Sequence, residues 1–196
     1  MKSVYDFVVK PIGERYNNNK KIGDSNLILN TEIYNHQFVN RKAKVISTPI
    51  IGNTDIQVND DVIVHHNVFR RWHNQHGVEK NSKSYFNEDT YIVQPDQIFL
   101  YKKFWQWHTT KGFCWVQPIK NKDNYNISKE KNNIGIIKYS DGTFNVNDLV
   151  GFKPGSEYEF IIDNEKLYRV YTKFITIKYE YQGNEKAYNP SWAQSS

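Results

Sequence analysis

Three short motifs occur twice in this chain, in the same order, and this repetition constrains the fold more than any other feature. The third pair also keeps the same internal spacing in both copies. Such repetition is typical of a chain built from two copies of one structural unit. The pairs are Val9–Ile12 with Val116–Ile119, Val58–Val62 with Val146–Val150, and Asn87–Leu100 with Asn164–Ile177.

The two copies differ in length at two places. The first motif starts 49 residues before the second in one copy (9 to 58) but 30 residues before it in the other (116 to 146), so the first copy is longer by about 19 residues. Between the second and third motifs it is longer by about 11 residues, with 29 (58 to 87) against 18 (146 to 164). Insertions usually form loops, and long loops in compact domains often carry function. The sequence therefore singles out two segments of the first copy.

Each copy consists of brief runs of apolar and β-branched residues, separated by Gly, Asn, Asp or Pro. Such runs are typical of short strands. No stretch has a sustained period of about 3.6 residues with helix caps, so we expect little helix. Five or six short strands per copy favour a small closed barrel, because closure removes exposed sheet edges. The sequence predicts an all-β fold of two tandem small β-barrels.

The motifs also set the expected domain boundaries. The linker between the modules contains Phe104, Trp105 and Trp107, and this aromatic content predicts that the modules pack together. We expect a first module over residues 1–103, a linker over 104–112, a shortened second module over 113–182 and a tail over 183–196.

Composition excludes several classes of protein. The single cysteine, Cys114, cannot form an internal disulfide or a multi-cysteine metal site, which favours a reducing cytoplasm. It lies in an aromatic strand, where we expect a core residue rather than a nucleophile. No signal peptide and no membrane span are expected from the apolar runs. The net charge of +5 is spread along the chain, so we do not expect nucleic-acid binding.

Motifs of catalysis are missing from the sequence. It contains no Gly-rich phosphate loop, no nucleophile elbow and no H-E-x-x-H motif. Carboxylate pairs such as Asp60–Asp61 and Glu88–Asp89 fall at expected strand starts or turns, where Asp is common. We therefore expect no enzyme activity, no catalytic residue and no cofactor.

The first insertion, residues 17–40, contains an aliphatic triplet flanked by polar residues and Gly. Exposing Leu27, Ile28 and Leu29 is costly unless they contact a partner. The alternative is that the triplet belongs to an ordinary strand of the barrel. The matching segment of the second copy, 120–133, has no aliphatic triplet, which favours a partner-binding loop in the first copy only.

The second insertion, residues 65–84, is rich in histidine, with four between positions 65 and 76. Imidazole suits Zn²⁺, but no cysteine or acidic pair completes a ligand set, so we expect no metal site. We expect a surface loop whose aromatic and basic side chains contact a neighbouring module or subunit, since such side chains dominate interfaces. A solvated loop without function is the alternative. The candidate interface residues are Phe69, Arg70, Arg71 and Trp72.

The order of these motifs resembles that of the chaperonin-10 (GroES-type) co-chaperonin family. The family opens with an Asp followed by apolar residues and a base, continues with a mobile loop holding three aliphatic residues, and then has V-G-D-x-V-x-F and D-I-L-A motifs. The matching segments are Tyr5–Lys10, Leu27–Leu29, Lys44–Ser47, Val58–Val64 and Asp96–Leu100. The second copy repeats the later ones at Val146–Phe152 and Asn164–Ile177.

The chain departs from the family pattern in two ways. Asn59 and Asn147 stand where Gly is usual, a mild change because Asn tolerates left-handed backbone. The roof hairpin of the family is shortened to Pro49–Thr54. In these departures the chain is most similar to the divergent co-chaperonins of T4-type bacteriophages.

The resemblance implies a function. It predicts a ring-forming co-chaperonin that caps a GroEL-type chaperonin through Leu27, Ile28 and Leu29 and assists protein folding. A phage origin would place it in the cytoplasm of an infected host cell, with capsid protein as a client or neighbour. Two alternatives stay open: a phage structural protein that reuses the barrel in the virion, for capsid decoration or assembly, and a basic nucleic-acid binder.

Overall fold

The computed structural model describes residues 2–16, 19–22, 25–28, 39–87, 89–121, 129–180 and 183–195. The chain divides into two compact units, Met1–Gln106 and Trp107–Ser196. The boundary lies inside the segment expected to be a linker.

The prediction of an all-β fold is confirmed. The described residues contain no α-helix, only strands and short 3₁₀ turns. The first unit and the boundary contain β1 (Phe7–Pro11), β2 (Asn19–Ile22), β3 (Ser25–Ile28), β4 (Lys42–Ser47), β5 (Asp61–Val64), β6 (Arg71–His73), β7 (Glu79–Asn81), β8 (Tyr85–Asn87), β9 (Thr90–Val93), β10 (Ile98–Lys103) and β11 (Gln106–Thr109). The second unit contains β12 (Phe113–Lys120), β13 (Glu130–Ser140), β14 (Leu149–Phe152), β15 (Glu157–Ile162), β16 (Glu165–Tyr171) and β17 (Ile175–Tyr179).

The two main sheets have the same strand order. In the first the order is β11-β10-β5-β4-β1-β9-β8, and in the second it is β17-β14-β13-β12-β16-β15. Leaving out β11, each strand of the first sheet has a counterpart in the second, in the same sequence along the chain. Strands β2 and β3 form a separate two-stranded sheet, as do β6 and β7. The closure of each main sheet into a barrel stays a prediction.

The two sheets also correspond residue by residue in how their strands pair. Val9 of β1 lies opposite Val45 on one side and Tyr91 on the other. Val116 of β12 lies in the same way opposite Ile137 and Tyr168. The first pair of repeated motifs therefore occupies equivalent positions of two sheets.

The second pair of motifs forms the same turn in both units. Asn59 and Asn147 each have a φ of 74°, so Asn does adopt the left-handed backbone that the sequence required of it. The Asn59 amide donates to the Val45 carbonyl at 2.9 Å, and the Asn147 amide donates to the Ile137 carbonyl at 2.9 Å. The carboxylate one residue later accepts from a backbone amide in both turns.

Each unit has its own apolar core, built from alternating residues of these strands. The first core includes Val9, Val45 and Tyr91, and the second includes Val116 and Cys114, all fully buried. Burying such a side chain stabilises the fold by about 1.5–3 kcal/mol. Burial also raises the pKa of the Cys114 thiol, as expected for a core cysteine.

Three segments differ from the sequence-based interpretation. The insertion over 65–84 is not a plain loop, since it contains β6 and β7, and the expected linker contains β11. The expected tail packs on the second unit, where the Tyr188 amide donates to the Pro118 carbonyl at 2.7 Å and Ala193 is fully buried.

Among the described residues, no helix has the length and apolar character needed to cross a membrane.

Candidate interaction surface of the first unit

The aliphatic triplet begins on β3, in the hairpin formed with β2. Leu27 lies opposite Lys20 and Ile28 opposite Asn19, while Leu29 lies outside the described residues. Neither strand belongs to the seven-stranded sheet. The alternative that this run is an ordinary strand of the main sheet is therefore wrong for Ser25–Ile28.

The stem of this loop is firmly held. Tyr16 and Val39 form an antiparallel bridge and are both about 4% exposed. Beside them the buried side chain of Asn40 donates to the carbonyls of Ile12, at 2.8 Å, and Glu14, at 2.7 Å. Its oxygen accepts from the Lys42 amide at 2.8 Å. Because Asn40 satisfies three backbone groups, it fixes where the chain leaves the sheet and where it returns.

The stem contacts the second insertion through two side chains. Arg15 donates twice to the Phe69 carbonyl, at 3.0 and 3.2 Å, and once to the Asn81 side chain, at 2.9 Å. The Tyr16 hydroxyl accepts from the Arg71 amide at 2.5 Å, and the Arg71 guanidinium lies 5.0 Å from the centre of the Tyr16 ring. The residues just before the first insertion are therefore in direct contact with the second insertion.

Of the four predicted interface residues in this insertion, Phe69 was predicted wrongly. Its side chain is fully buried and packs edge-on against the Tyr91 ring, with centroids 4.7 Å apart. An apolar ring at this position gains more from the core than from solvent, because the chain turns inward at Val68 and Phe69 before β6 begins. Phe69 anchors the insertion to its own unit.

The other three predicted residues divide into two groups. The Arg71 guanidinium makes its contacts within the unit, since it lies over the Tyr16 ring and forms an ion pair with Glu79 at 3.2 Å. Arg70 and Trp72 are exposed, Trp72 at 47%. Successive residues of a strand point to opposite faces, so β6 presents Arg71 to the loop stem and Trp72 away from it.

On that outer side lies a cleft of about 510 Å³. Its basic and aromatic lining consists of Arg70, Trp72 and Lys83. The rest of the lining is polar and consists of Asn67, Ser82, Ser84 and Gln97. Arg70 and Lys83 form no ion pair with any described residue. As far as the described residues show, the cleft therefore offers two cations without an ion-pair partner beside a half-exposed indole. The interface role of Arg70 and Trp72 stays a prediction.

The histidines of the insertion do not converge. His65 stacks on His66 with ring centroids 4.2 Å apart, and His65 also meets the edge of Phe99. His73 and His76 lie on the exposed hairpin. Within the described ranges, no group of three or more His, Cys, Asp or Glu side chains is placed to hold a metal ion.

The equivalent tyrosines of the two units have different surroundings. The Tyr168 hydroxyl donates to Glu130 at 2.6 Å, and Glu130 also pairs with the buried Lys166 at 3.1 Å. The Tyr91 hydroxyl is buried with no hydrogen-bond partner in the described part of the chain. Burial raises the pKa of Tyr91 to about 12. The Arg15 guanidinium lies 5.4 Å from the Tyr91 ring centre, which ties this core position to the loop stem.

Sequence reasoning missed the stem residues and one exposed turn. Arg15, Tyr16 and Asn40 carried no motif, and their only signal is their position at the two ends of an insertion. Phe104 and Trp105 were taken as linker residues, yet they form the two-residue turn between β10 and β11 and are 94% and 91% exposed.

No protein-family model matches the chain, and no curated protein matches it in sequence.

Proposed function

We propose that this protein is a co-chaperonin-like factor that binds a GroEL-type chaperonin through Leu27, Ile28 and Leu29 and assists protein folding. The observation that carries the proposal is the asymmetry of the two units. They share one strand order, but only the first has the long excursion between β1 and β4 with an aliphatic triplet on it.

The geometry of the loop supports a binding role. Its hairpin has two strands and, among the residues that the structure describes, no third strand beside them, an arrangement that is only marginally stable by itself. Such a hairpin can change its pairing at low cost when it contacts a groove. Its stem at Tyr16, Val39 and Asn40 is held tightly, so the triplet is presented from a fixed point of the unit.

The energetics suit reversible capping. Burying three aliphatic side chains would supply about 1.5–3 kcal/mol each, and ordering the loop would remove several kcal/mol of that gain. One loop would bind weakly. Several loops presented together by a ring would bind firmly through effective concentration, and they would still release one at a time.

The test is binding of the full chain to a GroEL-type chaperonin with and without ATP, measured by co-sedimentation. The double variant Leu27→Asp/Leu29→Asp should lose at least about 100-fold in affinity, because charge replaces apolar contact in the groove. Ile51→Asp is the matched control, since Ile51 is 54% exposed in the bend that follows β4, outside the loop, and it should bind like the wild type. Equal binding by the wild type and the double variant would end the proposal.

The second candidate is a structural component of a phage particle. The exposed turn Phe104–Trp105 favours it, because large unpartnered aromatic side chains are typical of contact surfaces. This candidate predicts no nucleotide-dependent chaperonin binding, and it predicts that the chain is found by mass spectrometry in purified particles. A folding factor should be missing from them.

A further inference from the structure

The turn between β10 and β11 combines two unfavourable features. Phe104 and Trp105 are the two most exposed large apolar residues of the described chain, at 94% and 91%. Both also have left-handed backbone, with φ of 47° and 68°. Two positive φ values in a two-residue hairpin are the pattern of a type I′ turn, for which Asn-Gly is the preferred sequence. Aromatic residues are poorly suited to that backbone and to that exposure.

Strain and exposure together at one site indicate a contact made with another molecule. Neither Phe104 nor Trp105 takes part in the ring contacts among the described residues, so their own unit does not explain them. The tight turn projects them as a narrow aromatic tip. A receptor for such a tip needs a small cleft that can face aromatic rings.

The cleft beside β6 has that chemistry. Arg70 and Lys83 lack ion-pair partners among the described residues, and guanidinium and ammonium groups bind well over aromatic faces. Trp72, 47% exposed, adds a ring against which Phe or Trp can stack. The tip and the cleft are both parts of the first unit, and the exposure of the tip shows that it does not occupy its own cleft.

We propose that the aromatic tip Phe104–Trp105 of one copy of this chain inserts into the cleft lined by Arg70, Trp72 and Lys83 of a second copy. The two patches differ, so the contact is head-to-tail. In a pair, the first copy keeps its cleft free and the second keeps its tip free, so further copies can add at both ends. Contacts of this kind build closed rings when the rotation between subunits permits closure. The idea that such a ring presents several binding loops rests on the proposed function. The contact between tip and cleft does not depend on that function.

The test is sedimentation velocity on the full chain without chaperonin. Phe104→Asn/Trp105→Gly removes the tip and installs the residues that the turn favours, so the fold should be kept. Arg70→Ala/Trp72→Ala removes two sides of the cleft at exposed positions. Loss of a central aromatic anchor weakens an interface by about 30-fold or more, so each variant should sediment as a monomer where the wild type forms larger species. Tyr5→Ala, at a position 65% exposed elsewhere on the first unit, should sediment like the wild type.

Mixing the two variants makes the test specific. The cleft of the tip-less variant is intact, and so is the tip of the cleft-less variant. A head-to-tail contact therefore predicts that the mixture forms a heterodimer and nothing larger. The inference is overturned if the wild type is monomeric up to about 100 µM, if either variant associates like the wild type, or if the mixture does not pair. Because no chaperonin is present, these results are independent of the loop-binding test.

Discussion

Replacing Tyr168 by Phe should destabilise the protein, whereas replacing Tyr91 by Phe should stabilise it. The two residues lie at equivalent positions, opposite Val9 and Val116. Tyr168 donates to the Glu130 carboxylate at 2.6 Å, and a hydrogen bond to a charged group contributes about 1.5–3 kcal/mol. Tyr168→Phe should therefore lower the free energy of unfolding by that amount.

At Tyr91 the hydroxyl is buried without a partner in the described chain, and its desolvation costs about 1–3 kcal/mol. Phe keeps the ring, its edge-on contact with Phe69 and the Arg15 cation above it. Tyr91→Phe should therefore raise the free energy of unfolding by about 1 kcal/mol. For a unit of this size, 1 kcal/mol corresponds to a shift of about 4–8 °C in Tm.

Scanning calorimetry and urea unfolding of the two variants and the wild type provide the assay. Opposite signs at the two positions are the expected result. A loss of 1 kcal/mol or more in Tyr91→Phe would refute the reasoning, because it would mean that the hydroxyl contributes a favourable hydrogen bond.

Three further predictions follow from the same contacts. Burial raises the pKa of Tyr91 to about 12, so above about pH 10 the folded state keeps a proton that the unfolded state loses. The free energy of unfolding should therefore fall between about pH 10 and 12. Urea unfolding across this range should show a smaller fall for Tyr91→Phe than for the wild type. Phe69→Ala should cost about 3–5 kcal/mol, as in other buried aromatic sites, whereas Trp72→Ala should change the unfolding free energy by less than about 0.5 kcal/mol, both measured by urea unfolding. Asn40→Ala leaves three backbone groups at the stem without their partner and should cost about 2–3 kcal/mol, with faster amide exchange at Lys42 as the local readout.

The part of the fold that the sequence predicted is the part fixed by local patterns. Short apolar runs broken by Asn, Asp and Gly identified most strands of the two main sheets, and the repeated motifs aligned them, but β8 and β11 of the first sheet were missed. The Asn59 and Asn147 turns were predictable because few residues other than Gly accept a positive φ. Such features depend on a few neighbouring residues, so a single sequence contains them.

The features that the sequence did not predict depend on contacts between distant segments. The neighbouring Arg70 made Phe69 look like a surface residue in the sequence. Its contact with Tyr91 depends on the inward turn of the chain, which the sequence does not show. Arg15 reaches Phe69 and Asn81 across more than 50 residues of sequence. The strained tip at Phe104 was missed because an aromatic pair is not the usual composition of a type I′ turn.

The central claim is that the first unit alone carries a chaperonin-binding loop. Hydrogen–deuterium exchange of the full chain, with and without a GroEL-type chaperonin and nucleotide, tests it most directly. Added chaperonin should slow exchange over residues 19–29 and leave the matching segment between β12 and β13 unchanged. Unchanged exchange over 19–29, or equal protection in both segments, would contradict the claim.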